Sequence, residues 1–158
     1  MSTNPPAPSI LPIPNRLLRL LSSGRWPRSH AEALKQNLNS LVAKERIQSF
    51  APKEDTIFLY PPPFRTVATD IGSRQKRGRD RFWSTCAALD DISPELSLII
   101  GDLGLGSDAP ILLDYRHGGS NPPVIRLEWR KPIPNVWVRC AGSFEEFADM
   151  LGLDVKAT

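Results

Sequence analysis

LSLIIGDLGLGSDAPILLDYR, residues 96–116, decides the fold. Leu96, Leu98, Ile99 and Ile100 make a short, nearly continuous apolar run, and Gly101, Gly104 and Gly106 follow at once. Such a run broken by glycines predicts a buried strand that ends in a bend, not a helix. Glycine takes positive φ at no steric cost, so Gly101, Gly104 and Gly106 read as a structural corner. Pro110 has no N–H to give a ladder and marks the start of the next strand. There Ile111, Leu113 and Tyr115 share one face, and Leu112, Asp114 and Arg116 take the other.

Downstream, HGGSNPP at 117–123 predicts a wide turn, and VIRLEWR then alternates strictly. Ile125, Leu127 and Trp129 fall on one face and Arg126, Glu128 and Arg130 on the other, as in an antiparallel strand with one wet face. Val136, Val138 and Cys140 repeat the pattern after KPIPN, with Trp137 and Arg139 opposite, so the segments read as a meander. Ser143 and Glu146 form a capping box; Phe144, Phe147, Ala148 and Leu151 line one helix face, and Gly152 stops the helix.

Upstream, prolines at 5, 6, 8, 12 and 14 predict a Pro-rich disordered tail over 1–14, ahead of a single domain over 15–158. A proline-rich ligand for an aromatic groove is the functional alternative for this tail. Asn15 is expected to cap a helix carrying Leu17, Leu20 and Leu21, with Trp26 and Pro27 in the following turn. A second capping box, Ser29 with Glu32, opens a helix whose stripe of Leu34, Leu38 and Leu41, ending at Glu45, is expected to pack on the sheet. Residues 56–60 and 64–69 read as strands around the triple proline at 61–63. DIGSRQKRGRDR at 70–81 reads as a basic, flexible loop, with Phe82 and Trp83 where the chain re-enters the core. A nucleic-acid contact there is the weaker reading beside a solvated tip, because no recognised nucleic-acid motif accompanies it. Residues 87–94 remain ambiguous, with one helical turn as the available reading.

At 158 residues and 41% hydrophobic, the chain suffices for one domain with a real core. No apolar run reaches membrane-spanning length and no export signal is visible, so a cytoplasmic location is expected. Cys86 and Cys140 lie far apart without a CxxC pair and read as small buried residues, both reduced, ahead of a disulfide or half of a metal site. The net charge of +3 hides a split: residues 1–88 hold 14 Lys+Arg against 6 Asp+Glu, a balance of +8, and the remainder is acidic. Surface charge of this kind serves solubility first, and a basic partner docking on the C-terminal half second.

Several chemistries fail on spacing. Gly104, Gly106 and Ala109 match G-x-G-x-x-A, but a strand follows instead of the helix that a dinucleotide site needs. No lysine is placed for a P-loop. Asp102, Asp108 and Asp114 lack EF-hand spacing and read first as turn residues. His30 and His117 sit beside no nucleophile motif, and the His and Cys content supplies no clustered zinc set. Elimination favours binding over catalysis, with no catalytic residues, cofactor or metal expected; an enzyme working through the Asp-rich corner stays open as a third class. Glu95, Asp102, Asp108 and Asp114 are the candidate partner-binding residues, an acidic edge held by the glycine corner.

Gly101 to Arg116, taken with Trp129, Trp137 and SFEEFADMLGL at 143–153, resembles the SUKH superfamily, and YPPPFRTVA at 60–68 is similar to its bacterial members. That family includes immunity proteins of polymorphic toxin systems and fungal regulators of cell-wall glucan synthesis. The resemblance implies an α+β fold, an antiparallel meander sheet packed by N-terminal helices and a C-terminal helix. It also implies a binding protein that neutralises a cognate toxin, often a nuclease, by occlusion, or else a non-enzymatic scaffold or regulator. One departure bears on the toxin's type: immunity proteins that face basic nucleases are commonly acidic, and this chain is mildly basic.

Overall fold

A six-stranded antiparallel sheet forms the centre of the computed structural model, which describes residues 11–103, 109–130 and 134–154. Its strands are β1 (Phe58–Leu59), β2 (Arg65–Thr66), β3 (Ser97–Asp102), β4 (Pro110–Asp114), β5 (Val124–Glu128) and β6 (Val136–Ala141). From β3 to β6 they lie in sequence order as a meander, while β1 and β2 both pair with the outer side of β3. The expected α+β class, an antiparallel sheet carrying packed helices, is the observed one. Among the described residues, no helix is long and apolar enough to cross a membrane.

One face of the sheet carries α1 (Asn15–Ser22), α3 (Lys44–Phe50) and α6 (Phe144–Leu151). Leu98 and Ile100 of β3 and Ile111, Leu113 and Tyr115 point into this main core, as alternation requires, and meet Leu17, Leu20, Ile47, Phe144 and Phe147. Arg16 clamps α1 to α6, its guanidinium meeting Glu145 at 2.6 Å and Asp149 at 3.0 Å, with Asp154 at 2.7 Å just beyond the helix. Helix α6 is built as its sequence reads. Ser143 Oγ accepts the Glu146 N–H at 3.1 Å, four apolar residues face the core, and Gly152 ends the helix at φ +66°, where only glycine sits without strain.

The opposite face is covered as well, so the sheet has no wet face where one was expected at Arg126 and Glu128. Helices α4 (Val67–Lys76) and α5 (Arg81–Thr85) bury a second core of Val67, Trp83, Ala87, Ile92, Leu112 and Ile125. Leu112 is fully buried here beside its register partner Ile125; Arg126, expected on the wet face of β5, pairs with Ile111 on the main-core side and is 7% exposed. The segment read as a basic loop is therefore mostly helix. Thr66 Oγ1 accepts the Thr69 N–H at 3.1 Å to cap it, and Asp70 pairs with Arg74 one turn on at 2.8 Å.

Two helix expectations need correction. At α1 the cap position is Pro14, with no side-chain cap bond, and Asn15 is already helical. Residues 11–14 of the expected tail lie against the domain, Leu11 and Ile13 packing on the main core. The long helix expected from Ser29 to Glu45 stops after α2 (His30–Leu34) and a 3-10 turn at Lys35–Asn37. Asn37, Asn39 and Ser40 are poor helix-interior residue types, and Gln36 turns inward to bond the backbone of Leu59. The predicted stripe is left outside, with Leu34, Leu38 and Leu41 exposed.

Candidate binding cleft

Between β1 and β2 the chain leaves β3 and returns. Leu59 pairs with Gly101 and Arg65 with Ile99, so residues 60–64, YPPPF, stand opposite Ile100 alone. Prolines at 61–63 hold this bulge out from the sheet, with a cis bond between Pro62 and Pro63. Its first residue is fixed by the Tyr60 N–H on Ile100 O at 2.9 Å and by Trp26 Nε1 on Tyr60 O at 2.8 Å.

The bulge makes one wall of a cleft of about 420 Å³. The other walls come from His30 at the start of α2, from Arg65, Asp70 and Arg74, and from Phe82 and Trp83 of α5, with Ile99, Asp102 and Pro110 completing the lining. That volume falls within the range of ligand-binding clefts, roughly 300–1,000 Å³.

Asp70 organises the polar side. Its Oδ2 accepts from Trp83 Nε1 at 2.7 Å and from Arg74 Nε at 2.8 Å, while Arg65 Nη1 stands 3.8 Å from Oδ1. Asp70 is mostly covered and both arginines are about half exposed, so the guanidiniums face outward over a sunken carboxylate. Burial, reinforced by the negative charge of Asp102, pushes the Tyr60 phenol well above its ordinary range, so its hydroxyl keeps its proton at neutral pH. Phe82 lies edge-on to Trp83 at 5.1 Å and tilted to Trp129 at 6.4 Å; Tyr60 packs on Phe58 at 5.7 Å.

The residues expected to meet a partner are placed differently. Asp102 is 2% exposed and accepts the Ala109 N–H at 3.2 Å, tying the end of β3 to the residue before β4. Asp114 is also 2% exposed; its Oδ1 accepts the Arg116 N–H at 3.1 Å and both its oxygens bond that guanidinium. Their carboxylates therefore do not form an exposed acidic edge. Register separates them further, Asp102 opposing Pro110 at one end of β3 and Asp114 opposing Ser97 at the other. Glu95 is exposed in the 3-10 turn Pro94–Leu96. Asp108, Gly104 and Gly106 lie outside the described residues.

Gly101 has a structural role of its own. A Cβ there would stand 2.9 Å from Phe58 O, so β1 approaches β3 at a distance that only glycine allows. Sequence reading missed Tyr60, Phe64, Arg65, Asp70 and Arg74 as a group. The Asp70–Arg74 spacing of four, one helical turn, is the signal the sequence offers for this group.

Among the described residues, no group of three His, Cys, Asp or Glu side chains is placed to hold a metal ion. Cys86 and Cys140 are free thiols, both half-buried. No known family model matches this chain, and no curated protein or solved structure does so either.

Proposed function

We propose that the chain is a binding protein that works without turnover, an immunity-type protein that neutralises a cognate toxin by occluding it, as the resemblance to the SUKH superfamily implies. The observation that carries the protein-binding reading is an uncovered apolar segment that continues from the helix whose first residue lines the cleft. His30 lines the cleft, and from the same helix onward Leu34, Leu38 and Leu41 are 46%, 87% and 43% exposed. Three large apolar side chains left in water within eight residues suit a protein-sized contact better than a small ligand. The paired state of Asp70 also favours recognition over proton transfer, since its Oδ2 already accepts two hydrogen bonds.

Growth rescue tests the proposal. The chain is co-expressed with toxic products of neighbouring reading frames, and protection against one of them, with a stable complex on co-purification, is expected. Leu38→Asp should abolish the rescue while the fold is kept. Absence of a protective pairing leaves the scaffold or regulator reading in its place.

A further inference from the structure

Building on the protein-binding reading, we propose that the cleft captures an acidic stretch of the partner. One carboxylate would sit between Arg65 and Arg74, and the apolar side chain beside it against Phe64, Phe82 and Ile99. The two guanidiniums carry donors to spare. Arg74 gives Nε to Asp70 and keeps its two terminal nitrogens for a ligand; Arg65 comes no closer than 3.8 Å to Asp70 and makes no side-chain hydrogen bond among the described residues. Guanidinium pairs are well matched to a planar carboxylate, which each can bond through parallel N–H groups.

The surroundings favour an anion of peptide rather than phosphate chemistry. Residues 65–81 hold six Lys and Arg against two Asp, so the cleft opens beside a positive belt. Arginine pairs accept phosphate too, but the backbone N–H groups that a phosphate cradle adds are missing at Pro61, Pro63 and Pro110. Asp70, sunken against both arginines, repels a doubly charged group more than a single carboxylate. Phe82 and Tyr60 already pack on aromatic neighbours, and Trp83 is 3% exposed, so these rings serve as walls more than as platforms for stacked bases.

The experiment uses the full chain and three fluorescein-labelled probes followed by anisotropy. They are a peptide alternating Glu with Leu and Phe, its Gln-for-Glu counterpart, and single-stranded oligothymidylate. The glutamate peptide is expected to bind and to weaken as salt rises, with the other two at least about tenfold weaker. Arg65→Gln and Arg74→Gln should each cost about tenfold in affinity, the loss of one charge-assisted contact, and Arg65→Lys should restore part of it. Both arginines are half exposed, so the unfolding midpoints of the variants should stay close to that of the parent. Equal binding of the glutamine peptide, tighter binding of oligothymidylate, no binding of the glutamate peptide, or indifference to both substitutions overturns the assignment. Growth rescue is a separate readout: if it persists while the peptide assay fails, only the acidic-segment assignment falls.

Discussion

The Gln36 side chain bonds both backbone groups of Leu59, its Nε2 donating to the carbonyl at 2.9 Å and its Oε1 accepting the N–H at 2.8 Å. A primary amide thus stands in for a neighbouring strand along the outer side of β1, and a third bond, Nε2 to Ala33 O at 3.0 Å, ties it to α2. Gln36→Leu fills the same space with no polar atoms and strands two buried backbone groups. The expected loss is about 2 kcal/mol, read as a lower urea midpoint at unchanged slope.

Gly101→Ala adds a methyl 2.9 Å from Phe58 O, an atom held by strand pairing rather than by a flexible side chain. Either β1 moves away or the strand distorts, for a cost of about 1–3 kcal/mol. Thermal unfolding measures it, and a neutral result would mean that β1 is free to shift.

Acid should weaken the fold partly through Asp114. Burial alone would raise its carboxyl, but hydrogen bonds and charge from Arg116 outweigh this and hold it below the ordinary range. A depressed folded value means that the stabilisation is fully present above the unfolded value of about 4 and is lost as pH falls through the folded one. Asp114→Asn should therefore lower stability at neutral pH and flatten the acid limb of urea midpoints measured down to about pH 2.

Burial pushes the Cys140 thiol up to about 12, against a smaller opposing pull from Arg126. Thiolate is the reacting species, so alkylation of Cys140 near neutral pH should run at least about a hundredfold slower in the folded chain than in urea. Mass spectrometry after timed iodoacetamide exposure of Cys86→Ser checks this on one thiol.

Asp70 separates a hydrogen bond from an ion pair within one side chain. Asp70→Asn keeps an acceptor for Trp83 Nε1 and loses the charge facing Arg74, whereas Asp70→Ala loses both. The alanine variant should lose about 1–3 kcal/mol and shift the Trp83 emission, with the asparagine variant recovering most of the stability.

Where local chemistry and tertiary demand agree, the sequence could be read directly. Ser143, Phe144 and Phe147 announce α6, and Ile111, Leu113 and Tyr115 announce the core face of β4; both hold in the structure. The failures have a common physical source. Leu34, Leu38 and Leu41 have helical spacing, yet the inward turn of Gln36 rewards a distant backbone partner that no local pattern displays. The basic run after Asp70 suggests a loop by composition alone, whereas the Thr66 cap and the Asp70–Arg74 pair hold it as a helix. The cleft was hidden for the same reason: Tyr60, Asp70 and Trp83 meet only because YPPPF bulges from β3 while α5 folds back over Leu112.

The proline bulge also makes the two borders of the sheet unequal toward other chains. An incoming strand that approached beside β1 and β2 would meet three residues with no N–H and a protrusion where a ladder should continue. At the far border, β6 presents VWVRCA, six residues without proline and with one charge, at Arg139. Misassembly by strand addition, whether between copies of the chain or during folding at high concentration, is therefore directed to the β6 side alone. A charge placed at Val138 would guard that border in the way that Pro61, Pro62 and Pro63 already guard the other.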